Sequence, residues 1–416
     1  MAERVIEGGG VAVSGAANGP GLAKAAKAPL GLVLLLGALI GVGPLSIDMY
    51  LPGLPAIGAA LHADAAAVQL TVAAFFVGLA FGQLFYGALS DRLGRRGPLL
   101  FGIGLYLLAS IGCALSTSIG MLIAFRVLQA LGACAGGVIP RAVVRDRFEH
   151  HEVLHVLSLL TLVMGLGPIL APLIGGFILQ IAGWRAIFWI QVLFAVATGA
   201  AVLLRLPESR SEATAAQARG EHPISAYLTL MRRPRLLGYV LTGAFSGSAL
   251  FVYVATSPDV LIGHFHVRPE HFGIVFGLNG FGYIAASQIN ARLARRYRSD
   301  VILKWANLAA FGGAVVLLLT ALTGFGGLVG FAAPMFVIMS SLGFTQPNAT
   351  AGALGEDPRR AGAVSALLGS TSFTGGALLA ALSGVGRDGT ARPMAIVLCL
   401  SLALAVVCLR NLVKPK

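Results

Sequence analysis

Two opposite charges stand where lipid-embedded helices rarely carry any. Asp48 ends an uncharged run, residues 30–47, within GPLSIDMYLPGLP, and Arg126 interrupts LIAFRVLQALGACAGG. A charge at the centre of a membrane helix costs roughly 2.5–3.5 kcal/mol on insertion scales, so each requires a partner or a function. Burial favours the neutral form of a carboxylate, and a nearby cation favours the ionised form. A carboxylate reached by solvent from alternate sides can take up a proton on one side and release it on the other. Asp48 and Arg126 are the candidates for such proton coupling. A purely structural Asp–Arg tie, or Asp48 capping a helix break before Pro52, is the plainer alternative. Gln129, one turn after Arg126, shares its helix face. With Tyr50, Tyr253, Asn279, Gln346 and Asn348 it forms a set of polar or aromatic side chains in apolar segments. They are candidates either for lining a substrate cavity or for hydrogen bonds between helices.

The elements that position these groups are membrane spans. The 416 residues are 57% hydrophobic and 11% charged, against about 25% charged in soluble domains. Stretches of about 20 apolar residues are expected at 29–51, 69–90, 97–117, 119–143, 155–182 and 184–206, then at 236–262, 272–293, 301–323, 326–349, 361–385 and 392–413. The expected fold is therefore an all-α membrane protein with twelve transmembrane helices. Residues 1–28 read as a flexible tail, 29–206 as one six-helix bundle, 207–235 as a linker and 236–413 as a second bundle. Within the linker, PISAYLTLMRR has the pattern of a short amphipathic surface helix.

Lys and Arg orient the chain. Arg185, Arg268, Arg387 and Arg392 fall on one side of the expected spans, while nearly all the rest fall on the side of the termini and linker. Both termini are thus expected in the cytoplasm. The net charge of +13 reflects this topology and not nucleic-acid binding. The cysteines at 113, 134, 399 and 408 have no metal-ligand spacing, and the loop with His264, His266 and His271 reads as interfacial, so no metal site is expected. A shift of 200 residues lays FGQLFYGALSDRLGRR over FGYIAASQINARLARR, which supports two related halves around a central pathway.

Gly87, Asp91, Arg92, Gly94, Arg95 and Arg96 in GALSDRLGRRG have a fixed spacing that a simple basic loop does not demand. The stretch resembles motif A of the major facilitator superfamily. LIAFRVLQALGACAGG resembles motif B. Gly165, Gly167, Pro168, Pro172, Gly175 and Gly176 in GLGPILAPLIGG resemble motif C of its drug:proton antiporters, with Pro172 shifting the usual spacing. SIDMYLPGLP, GWRAIFWI, the region FVYVATSPDVLIGHFHVRPEHFGIVFGLN and QPNATAGAL narrow the resemblance to the bicyclomycin-resistance (Bcr/CflA) multidrug transporters over about residues 30–410. Asp259, in SPDV, departs from the apolar or aromatic residue usual there and reads as interfacial.

The resemblance implies a pseudo-twofold fold and export of drugs or other amphipathic small molecules from a bacterial inner membrane in exchange for protons. It implies no cofactor, membrane lipids as surroundings and a monomer. Motif A, with Asp146 as a pairing partner, would latch the halves at the cytoplasmic side, and the motif C glycines would let a helix pack closely against a neighbour. Transport of an endogenous metabolite is the alternative. No protease, esterase or nucleotide-binding motif supports an enzyme.

Overall fold

The computed structural model describes residues 30–148, 150–210, 212, 223–357, 360–386 and 388–413. The expected tail and most of the polar linker lie outside these. The described residues form helices α1 (Leu30–Asp48), α2 (Leu54–Ala60), α3 (Ala65–Leu93), α4 (Arg96–Ala114), α5 (Ile119–Arg147) and α6 (His150–Arg205). After the linker come α7 (Pro223–Met231), α8 (Pro234–Pro258), α9 (Pro269–Leu293), α10 (Ser299–Thr323), α11 (Gly327–Glu356), α12 (Ala361–Val385) and α13 (Arg392–Leu412).

Among the described residues, 11 helical stretches are long and apolar enough to cross a membrane. The twelfth crossing lies within α6. Its 56 residues would extend about 84 Å if straight, far beyond a hydrocarbon core of about 30 Å. Gly183 divides it, with φ 74° and ψ 177°. A residue bearing a Cβ is strained at such a φ, so the chain reverses where the sequence pattern separates spans five and six.

One expected span is shorter than its apolar run. The run 29–57 reads as a continuous helix, but α1 ends at Asp48. A short 3-10 turn, Leu51–Gly53, leads into α2. Pro52 and Pro55 lack the N–H groups that would continue the α-helical ladder.

The halves meet along two seams, α3 with α12 and the first arm of α6 with α9. Phe76 of α3 packs against Phe251 of α8 and Phe373 of α12, with ring centroids 4.8 and 6.3 Å away. The linker helix α7 buries Leu230 in the second half's core and donates from the Tyr227 hydroxyl to the Leu84 carbonyl of the first half. It therefore bridges the bundles at their linker end, while the α1–α2 connection and the end of α8 lie at the far end.

Candidate functional site

The level of Asp48 and Arg126 is fixed by direct contact between their helices. Arg126 is fully buried, and its Nη1 donates to the Ser46 carbonyl at 3.0 Å and to Gln129 Oε1 at 2.6 Å. Its guanidinium lies 4.5 Å from the Tyr50 ring centroid and 4.2 Å from that of Phe75. Two aromatic faces are a favourable seat for a buried cation. Nε and Nη2, which form one edge of the guanidinium, meet no acceptor. That edge has the geometry that carboxylates take in bidentate pairs.

Asp48 is 5% exposed, and among the described residues no hydrogen bond or ion pair reaches its carboxylate. Asp48 and Arg126 thus lie at a similar level, but they are not paired in this conformation. Helical phase explains the separation. Ser46 faces Arg126 and Tyr106, whose hydroxyl is 2.7 Å from Ser46 Oγ. Two residues later the helix has turned by about 200°. Asp48 continues the stripe of Gly37, Gly41 and Pro44, which faces the first arm of α6.

Motif C builds that opposing surface. A Cβ on Gly167 would come within 2.5 Å of Pro44 Cβ, and one on Gly175 within 2.0 Å of the Met49 carbonyl oxygen. These two contacts bracket Asp48. On the side toward the second half, Pro168 lies against Gly280 and Gly176 against Pro269 and Glu270 of α9. Pro172 lies inside α6. Gly165 also lies in the helix, with surroundings outside the described side chains.

The six cavity candidates fall into distinct hydrogen-bonded groups in this conformation. Gln129 donates to Ser110 Oγ and Gln191 Oε1, both at 2.8 Å. The Tyr50 hydroxyl pairs with Thr71 at 2.7 Å. In the second half, Asn279 donates to the Tyr253 hydroxyl at 2.8 Å, and Tyr253 stacks on Phe276. Asn279 Oδ1 has no donor. Asn348 donates to Asn290 at 2.6 Å, and the half-buried Gln346 donates to the Gly243 carbonyl at 3.0 Å. Lipid offers these amides no partners, so they find them across helix interfaces. Sequence reasoning missed Ser46, Tyr106, Ser110 and Gln191, which complete the first-half network. Gln191 carried a signal, being the single amide within the apolar run FWIQVLF.

Motif A forms a tight cluster at the linker end. Arg95 Nε donates to Asp146 at 2.8 Å, and Nη1 bonds Asp91 and, at 2.9 Å, Ser90. Burial works against the Arg95 charge, but these acidic hydrogen bonds outweigh it and hold the guanidinium pKa above its ordinary value. The expected Asp146 partnership is therefore present. The cluster joins α3, the start of α4 and the end of α5, all in the first half, and so braces that half. Gly87 faces open space, with no helix drawn against it. Arg92 and Arg96 flank the cluster, and Arg96 Nη2 donates to the Leu203 carbonyl at 2.7 Å.

A linker residue absent from sequence reasoning completes this brace. Glu208 accepts from the backbone N–H groups of Arg95 at 2.8 Å and Arg96 at 3.1 Å, at the start of α4. It also accepts from Ser209 and Arg210. Partial burial would raise its pKa, but these four donors prevail and hold the carboxyl below the usual range. Gly94, with φ 98°, leaves room for it: a Cβ there would lie 2.5 Å from Glu208 Oε2. Arg210 donates to the Asp91 and Arg92 carbonyls at the end of α3.

A family model described as Major Facilitator Superfamily matches residues 32–381. An uncharacterized MFS-type transporter, YdgK, of Bacillus subtilis is 34% identical over 392 residues, covering 94% of this chain and 97% of its own. A bicyclomycin resistance protein homolog of Haemophilus influenzae is 33% identical over 368 residues, covering 87% and 91%. The fold is also similar to the xylose transporter XylE of E. coli, with TM-score 0.71 at 12% identity over 92% of this chain and 97% of that one.

Proposed function

Because this chain belongs to the Major Facilitator Superfamily, we propose that it exports drugs or other amphipathic small molecules in exchange for protons by alternating access. The relative named for bicyclomycin resistance, matched over most of both chains, supports the drug-export part. In this reading the protein sits in a bacterial inner membrane as a monomer, with the linker end and both termini cytoplasmic. The proton gradient supplies the energy and no cofactor takes part.

The observation that carries the reading is the buried carboxylate at the break in α1, together with a guanidinium edge on α5 that has no acceptor. A carboxylate lacking a cation is least costly to bury as the neutral acid. Once ionised it needs a donor fork, and Arg126 offers one on the helix that already touches Ser46. A local swing at the end of α1 would exchange the two arrangements. The proton would enter at Asp48 from the far side and leave toward the linker side, competing with substrate for the same region. The test is Asp48→Asn in everted vesicles. Substrate-linked proton release and pH-gradient-driven export should both disappear while expression and folding persist. Export at the wild-type rate would remove Asp48 from the mechanism.

A further inference from the structure

The internal repeat handles its arginines differently in the two halves. In the first half Arg95 is buried against Asp91, Asp146 and Ser90. Its counterpart 200 residues later is Arg295, and Arg292 and Arg296 match Arg92 and Arg96, but Ala291 stands where Asp91 would be. The described carboxylates at this end of the second half are committed elsewhere. Asp300 accepts from the Tyr239 hydroxyl at 2.5 Å and pairs with Arg235. Glu356 also pairs with Arg235, and Asp357 pairs with Arg233 and Arg360. Arg292, Arg295, Arg296, Arg298 and Lys304 are all exposed. Among the described residues none of these five side chains has a hydrogen-bond or ion-pair partner. The turn that carries them, between α9 and α10, is fixed by its own backbone. The Arg296 and Tyr297 N–H groups both donate to the Leu293 carbonyl at 2.9 Å, and that of Val301 donates to the Arg298 carbonyl at 3.0 Å.

We propose that this turn binds the headgroup of an anionic phospholipid in the leaflet at the linker end. The surroundings of the arginines select a lipid. On α9 the exposed Leu278, Phe281 and Ile289 follow one helix face that ends at Arg292. On α10 the exposed Val301, Trp305 and Leu308 follow a face that begins at Arg298. Both helices pack on α11 and not along each other, so the two apolar stripes stay open up to the turn. Trp305 is 65% exposed and lies about 10 Å along α10 from Arg298, the depth at which indole rings gather below lipid headgroups. The guanidinium forks offer donors only, in the geometry that takes phosphate oxygens in pairs. A zwitterionic headgroup brings an ammonium that this cluster repels, and a free phosphate leaves the apolar stripes unused. Each such cation near an anionic leaflet strengthens attachment about fivefold. The first half thus spends its arginines on an internal brace, and the second spends its copies on the leaflet. Neither the Asp48–Arg126 region nor the motif A cluster contributes, so the assignment stands apart from the export reading.

The test adds phospholipids to the purified full chain in detergent. Phosphatidylglycerol should raise the thermal unfolding midpoint saturably, whereas phosphatidylcholine with the same acyl chains and soluble glycerol phosphate should not. Arg292→Gln with Arg298→Gln should weaken the apparent phosphatidylglycerol affinity about tenfold or more, given about fivefold per cation. Arg145→Gln with Arg147→Gln removes the same charge from exposed positions at the linker end of the first half and should leave the affinity nearly unchanged. No response to phosphatidylglycerol, or an equal response to phosphatidylcholine, overturns the assignment. So does a saturable response to glycerol phosphate, which would make this a site for free phosphate. Undiminished affinity in the variant at 292 and 298 overturns it, as does an equal loss in the variant at 145 and 147, which would reduce the effect to net charge. Should the variant at 292 and 298 not fold, Arg298→Gln alone decides, since wild-type affinity there likewise overturns the assignment.

Discussion

Adding one methyl group at Gly175 should disrupt the joint on which Asp48 depends. The Cβ of Gly175→Ala would lie 2.0 Å from the Met49 carbonyl oxygen, and Cβ atoms essentially never approach a heavy atom closer than 3.0 Å. The opposing atom is backbone, so no rotamer change relieves the clash. The first arm of α6 must therefore move about 1 Å from α1, which also loosens Gly167 against Pro44. Overpacking of this kind typically costs about 1–3 kcal/mol, equivalent to a shift of about 5–150-fold in a conformational equilibrium. Purified Gly175→Ala should show a lower thermal midpoint and pH-gradient-driven export reduced by a factor in that range. Gly104→Ala is the control, because a Cβ there meets nothing within 4 Å. It should be neutral or gain up to about 1 kcal/mol from helix propensity. If Gly175→Ala matched Gly104→Ala in both measurements, the close contact between α1 and α6 would have no functional weight.

Two further outcomes concern the linker-end brace. Arg95→Ala leaves Asp146 at 12% side-chain exposure without its guanidinium partner. Thermal unfolding should register a loss of about 1.5–3 kcal/mol, and Asp146→Asn should cost less because Arg95 retains Asp91 and Ser90. Glu208→Gln should be less stable than wild type at neutral pH. Its folded-state pKa lies below the ordinary 4.5, so the ionised clasp contributes stability above that value and loses it as pH falls through the folded pKa. The gap between the two thermal midpoints should therefore narrow below about pH 4.5, and a gap independent of pH would assign Glu208 a packing role.

The features legible in the sequence were those with a period, a spacing or an isolated charge. Apolar run lengths gave the helices, and Gly183 lies between the two segments read as spans five and six. Arg126 and Asp48 were visible because charge is rare in apolar runs, and Arg95 with Asp146 because motif A fixes its own geometry. Contacts made by single polar residues across distant segments were much less visible. Glu208 reads as one more charge in a polar linker until its carboxylate is seen at the start of α4. The break after Asp48 was obscured because the residues beyond it remain apolar, and hydropathy does not register a change of backbone ladder. The cavity candidates were hard to sort for a related reason: a polar residue in a span looks the same whether it faces a space or another helix.

The first arm of α6 touches both α1 and α9, and the two contacts differ in kind. Toward α1, hypothetical methyl groups at Gly167 and Gly175 come within 2.5 and 2.0 Å of Pro44 and the Met49 backbone, so these helices are joined too closely to slide. Toward α9 the corresponding approaches are 2.7 Å at Gly273, 3.5 Å at Gly277 and 3.4 Å at Gly280. Nearer the far end Gly176 meets Pro269 at 3.2 Å, so only Gly273 is close and the contacts on either side of it are looser. A seam made mostly of ordinary contacts suits rigid-body rocking of one half against the other. The stripe containing Asp48 lies on the joined side of the arm. Motion at the α9 seam therefore carries α1 and motif C together as one unit.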